Sequence, residues 1–143
     1  MKASIRIGVM ALMVLSILSS VALADPPSGG DAGDTPGSAA NIVISPKYTT
    51  EWTIYQGTIT SYDKDWYRPN TVRNDRLWYQ IDTADWNNGA RLDAFDGPYT
   101  NLQLKGSTAG NFIVNSADGS SYINVYATPD WKALSYQFAL RVY

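Results

Sequence analysis

Carboxylates and aromatic rings are the only side chains present in numbers that could do chemistry. Twelve of the thirteen acidic residues are aspartate, and Glu51 alone is glutamate. Aspartate serves turns, where its short side chain bonds nearby backbone N–H groups. It also serves calcium, a hard cation that takes only oxygen ligands. Composition leaves both readings open. Histidine and cysteine are absent, which removes the usual general base, the usual transition-metal ligands, the thiol nucleophile and every disulfide. A glycosidase pair drawn from Asp82, Asp85, Asp93 and Asp96 would need two carboxylates at a set separation across a cleft. Nothing in the sequence indicates such a cleft, so these four read as turn residues and the chain as no enzyme.

The eighteen aromatic residues, five of them tryptophan, all follow residue 24. Trp52, Trp66, Trp78 and Phe138 are expected to fill a core short of Leu and Ile. Tyr62, Trp86, Tyr99 and Trp131 stand beside Asp, Asn, Gly or Pro and are expected to be exposed, where rings suit stacking on sugars or packing on another protein. In Tyr122-Ile123-Asn124-Val125-Tyr126, alternation points Ile123 and Val125 inward and leaves Tyr122 and Tyr126 on the outer face. Tyr62, Tyr122 and Tyr126 are thus the candidate ligand-binding residues.

These residues need a scaffold, and the chain divides into three parts. Lys2 and Arg6, the apolar run Ile7 to Leu18 and the small residues up to Ala24 read as a secretory signal peptide over 1–24. Retention of that run as an anchor helix is the alternative. Residues 25–40 are rich in Pro, Gly, Ser and Asp and read as a flexible linker or arm. Residues 41–143 form one domain, in which short alternating runs are separated every eight to twelve residues by turn signals such as Asn87-Asn88-Gly89, Asp96-Gly97-Pro98 and Asp118-Gly119. Strands are expected at 42–45, 50–60, 77–82, 91–95, 101–105, 112–115, 121–127 and 135–142, and no helix. The pattern predicts an all-β protein, a jelly-roll-like antiparallel β-sandwich of about eight strands. Beyond residue 24, nine Lys and Arg stand against thirteen acids, so no basic patch offers itself to nucleic acid.

Three segments carry a resemblance. Gly30-Asp31-Ala32-Gly33-Asp34-Thr35-Pro36, then Gly57-Thr58-Ile59-Thr60-Ser61-Tyr62-Asp63-Lys64-Asp65-Trp66-Tyr67, then Gly119-Ser120-Ser121-Tyr122-Ile123-Asn124-Val125-Tyr126 before a closing strand, resemble in that order the bacterial pre-peptidase C-terminal (PPC) domain, which includes the collagen-binding modules of clostridial collagenases. The resemblance implies a non-catalytic sandwich that binds calcium between an acidic linker and the loop before an Asp-x-Asp-aromatic strand. The matching positions are Asp31 and Asp34 in the linker and Asp63 and Asp65 in the loop. Two departures stand out: Arg68-Pro69-Asn70 interrupts the strand, and Gly33 stands where a further oxygen ligand would help. Four converging carboxylates would in any case repel one another without a cation.

The expectation is therefore a secreted or cell-surface, calcium-binding, non-catalytic module that attaches to an extracellular protein or polysaccharide, without nucleic acid and without stable membrane insertion once the signal is cleaved. The alternative is self-assembly: a filament subunit that donates its N-terminal arm, through Ile42-Val43-Ile44, to a neighbour's open sheet edge.

Overall fold

The computed structural model describes residues 32–60, 62–128 and 133–143. The expected signal peptide, the first part of the linker, Asp31 and Trp131 lie outside these residues.

Among the described residues nine strands form two sheets, as the sequence pattern predicts for a sandwich. They are β1 (Ala40–Ile42), β2 (Thr53–Thr60), β3 (Lys64–Pro69), β4 (Arg76–Ile81), β5 (Ala90–Asp96), β6 (Gln103–Ser107), β7 (Ala109–Ile113), β8 (Ser121–Ala127) and β9 (Ala133–Val142). The five-stranded sheet has the order β1-β3-β8-β5-β6 and the four-stranded sheet the order β2-β9-β4-β7. Every pairing is antiparallel except β1 on β3, which is parallel. One short helix that the sequence did not announce, α1 (Thr83–Asn87), follows β4 with the Asp82 side chain accepting from the Ala84 N–H at its N-cap. Among the described residues no helix is long and apolar enough to cross a membrane.

The core lies between the sheets and is built on tyrosine. On β9, Tyr136, Phe138, Leu140 and Val142 alternate inward as expected, and Ile123 and Val125 of β8 meet them. The largest fully buried side chains in this layer are Tyr55, Tyr67, Tyr136 and Phe138. The expected tryptophan core is not formed. Trp52 and Trp78 are half-buried on the outer side of the four-stranded sheet, and Trp66 lies on the outer side of the other. The reason is register: Leu77, Tyr79 and Ile81 take the inner positions of β4, so Trp78 between them must face out. Gly57 on β2 is required by Tyr136 opposite, because a Cβ at Gly57 would sit 2.5 Å from Tyr136 Cζ and closer to its Oη.

The described part of the linker, residues 32–40, is docked on the sandwich. Its side chains are small, but its backbone finds partners. Ala32 is buried and donates its N–H to Asp65 Oδ1, Trp66 N–H bonds the Gly33 carbonyl, and Ala40 N–H bonds the Ala32 carbonyl. Ile42 and Ile44 enter the chain's own core, and the Tyr55 hydroxyl bonds the Val43 carbonyl at 2.9 Å. The segment expected to be lent to a neighbour is thus used in cis.

Candidate functional site

The predicted site residues end in different places. Asp65 is 2% exposed and turned inward, where Tyr136 Oη donates to its Oδ2 at 2.5 Å and Ala32 N–H to its Oδ1 at 3.3 Å. Tyr67 in turn bonds the Tyr136 hydroxyl, so Tyr67, Tyr136 and Asp65 form a buried chain with its proton donors aimed at the carboxylate. Burial, followed by the neighbouring Tyr67 and the Asp65 charge, pushes the Tyr136 hydroxyl far above the usual tyrosine range. Asp63, half-exposed, accepts from Lys64 N–H in the turn after β2, and Asp34 is exposed. Among the described residues no three acids gather closely enough to hold a metal ion. Asp31, the fourth expected ligand, lies outside them.

Tyr62 is 81% exposed in the β2–β3 turn, with φ of 67°. The outer position of Tyr122 and Tyr126 on β8 follows the predicted alternation, but Tyr122 is only 3% exposed, which corrects its assignment to an open aromatic strip. Trp66 on β3 and Phe95 on β5 flank β8, and their rings approach to 5.3 Å. They therefore close over the strand between them and cover Tyr122 and Asn124. Tyr126 stays half-buried, its hydroxyl pushed up by burial and then by Asp93.

The acids weighed as a glycosidase pair are engaged locally. Asp82 caps α1, Asp93 accepts from Ser107, and buried Asp96 accepts from the Asn115 N–H and the Ser116 hydroxyl. Asp85 accepts the Gln137 N–H at 2.6 Å, and burial raises its carboxyl above the usual range against the lowering effect of that bond.

The outer face of the four-stranded sheet is the site that sequence reasoning missed. The Arg141 guanidinium lies between two indoles, with Cζ 4.6 Å from the Trp52 ring centre and 4.7 Å from that of Trp78. Arg141 Nη1 reaches the Thr50 carbonyl at 3.4 Å, while its Nε is buried with no hydrogen-bond partner among the described residues. Next to this stack Arg76 donates to Asn111 Oδ1 at 2.8 Å, and Ile113 and Tyr143 are exposed. The strands β2, β4, β7 and β9 carry no lysine and no carboxylate, and Arg76 and Arg141 are their only charges. Solvated sheet faces normally carry Lys and Glu, whereas protein interfaces are enriched in Trp, Tyr and Arg and depleted of Lys, Glu and Asp. The signal was present in the sequence as Trp52, Trp78 and Arg141 at the polar positions of alternating strands.

No protein-family model and no curated protein matches the sequence. Solved structures do match in fold. Aeromonas hydrophila PliG, a periplasmic lysozyme inhibitor of g-type lysozyme, superposes with a TM-score of 0.55 at 14% identity, over 72% of this chain and 96% of that one. Salmonella Typhimurium PliG gives 0.50 at 20% identity, over 72% and 97%. A mutant of the Escherichia coli inhibitor gives 0.50 at 19%, with the same coverage. At these identities the likeness is one of fold.

Proposed function

We propose that this chain is a secreted, non-catalytic protein-binding module, that the outer face of its four-stranded sheet is the contact surface, and that its partner is a lysozyme-type cell-wall hydrolase. The Trp52–Arg141–Trp78 stack carries the reading. It presents large rings whose rotamers are already held by the guanidinium between them, so little side-chain entropy remains to be lost on binding. Tryptophan and arginine of this kind are the usual anchors of protein interfaces. The choice of partner rests on the fold shared with the PliG inhibitors, and the secreted location on the signal-peptide pattern of residues 1–24. The local engagement of Asp82, Asp85, Asp93 and Asp96 supports a binding role over a catalytic one.

The test is inhibition of a g-type lysozyme clearing a cell-wall suspension, with residues 25–143 added as purified protein. Stoichiometric inhibition is expected. Trp78→Ala should weaken it by about thirtyfold, the scale of an interface anchor, while Lys64→Ala on the opposite sheet should not. No inhibition by the native chain would remove the lysozyme reading. Equal effects of the two substitutions would remove the assignment of the face.

A further inference from the structure

An open cavity of about 530 Å³ lies where the four-stranded sheet loses a strand. β4 ends at Ile81, opposite Phe138, while β9 runs on to Ala133. Gln137 is the last residue served on that side: its carbonyl accepts the Asp82 N–H, and its N–H goes to the Asp85 carboxylate instead of a backbone carbonyl. In an antiparallel ladder the groups that face one neighbour recur every second residue. The N–H and C=O of Ser135 therefore point to the same side as those of Gln137, away from β2. Ser135 opposes Thr58 of β2 in a non-hydrogen-bonded pair. Among the described residues nothing takes up these two groups, and Ser135 lines the cavity together with Asp82 and Asp85.

We infer that this ledge takes an extended, lysine- or arginine-bearing segment of a protein partner as an added strand on the Ser135 edge. The inference rests on the protein-binding reading above and names what the partner inserts. Main-chain bonds to a free edge supply affinity of the strand-addition kind. The sign of the preferred segment follows from the lining, which among the described residues holds the carboxylates of Asp82 and Asp85 and no lysine or arginine. The chain's own arm does not suit it, because residues 25–40 contain Asp25, Asp31 and Asp34 and no basic residue.

The probe is the blocked pentapeptide Thr-Lys-Val-Lys-Thr, titrated at low salt into nitrogen-15-labelled residues 25–143 and followed by amide resonances. Ser135 and Gln137 should shift and the Ser135 amide should gain exchange protection, while the peptide with glutamate for lysine should leave both unchanged. Ser135→Pro deletes only a donor that faces away from the β2 ladder, a position where proline is tolerated, and should abolish binding. Should that variant fail to fold, Asp85→Asn keeps an oxygen for Gln137 and removes the charge, and should weaken binding about two- to fivefold, the scale of a partly exposed ion pair. No shift at Ser135, equal binding of both peptides, or binding unchanged in Asp85→Asn would each overturn the inference, as would preference for a peptide of residues 25–40. The assay contains no lysozyme, so its failure leaves the inhibition test standing and the reverse holds equally.

Discussion

Asp65→Ala should be the most damaging single change to a charged residue outside the proposed binding face. The carboxylate is buried and accepts the Tyr136 hydroxyl at 2.5 Å and the Ala32 N–H at 3.3 Å. Hydrogen bonds to a charged group contribute about 1.5–3 kcal/mol each. The longer bond belongs at the bottom of that range, and relief of carboxylate desolvation offsets part of the loss. Tyr136 keeps Tyr67 as a neighbour, whereas Ala32 N–H loses its acceptor. A net cost of about 2–4 kcal/mol follows, or roughly 8–17 °C in Tm for a domain of this size. Urea unfolding followed by tryptophan fluorescence measures it, and the midpoint should fall with the slope unchanged. Limited proteolysis should at the same time open the segment ahead of Ala40, since that segment is hung on Asp65. Asp65→Asn, which keeps one acceptor, should cost about half as much. A loss below about 1 kcal/mol, the scale of one ordinary net hydrogen bond, would refute the view that Asp65 ties the linker to the core.

Asp63→Asn should stay within about 0.5 kcal/mol, because that carboxylate serves only a half-exposed turn. Melting in millimolar calcium and in chelator tests the expected calcium site, and coincident curves would count against it. A calcium-dependent rise abolished by Asp63→Asn would instead support a site of Asp31, Asp34, Asp63 and Asp65. Gly57→Ala should cost about 2 kcal/mol through overpacking against Tyr136, and combining it with Tyr136→Ala should cost less than the sum of the two, as a double-mutant cycle would show. Alkaline pH should unfold the protein: Tyr55 and Tyr136 are held above the usual tyrosine range chiefly by burial. A folded pKa raised above the unfolded value of about 10 gives stability that is present below that pH and lost above it, at about 1.4 kcal/mol per pH unit for each group. Tyr55→Phe should flatten the fall in urea midpoint with pH, and an unchanged slope would count against Tyr55 being one of these groups.

The sandwich was legible because its central strands alternate cleanly. Ser121 to Ala127 is strand from end to end as expected, and β9 differs from its expected range only by two residues at its start. The edges were less legible. β6 and β7 lie two to three residues from their expected positions, and half-exposed strands with Gly106 and Gly110 in them carry little pattern. Both glycines leave room for the Tyr79 hydroxyl, a tertiary demand that no local signal announces. β3 is not among the strands that alternation predicts, and Arg68-Pro69-Asn70 reads as an interruption, yet Pro69 is simply its last residue, where a missing N–H is tolerated.

The assignment of rings to core and surface was where composition misled. Size argued for tryptophan inside, but position along the strand decides which side a ring takes, and tyrosine can enter a core when its hydroxyl finds a partner. Tyr55 has the Val43 carbonyl and Tyr136 has Asp65. With those places filled, Trp52 and Trp78 are left on the outer face with Arg141 between them, and the arginine resolves two problems at once. It covers apolar ring surface that would otherwise meet water, and it supplies the face with charge without a flexible, strongly hydrated lysine head. The same alternation that builds the core thus assembles the proposed contact surface. Moving Trp78 by one position along β4 would cost both, because the ring would meet the core and the guanidinium would lose one wall.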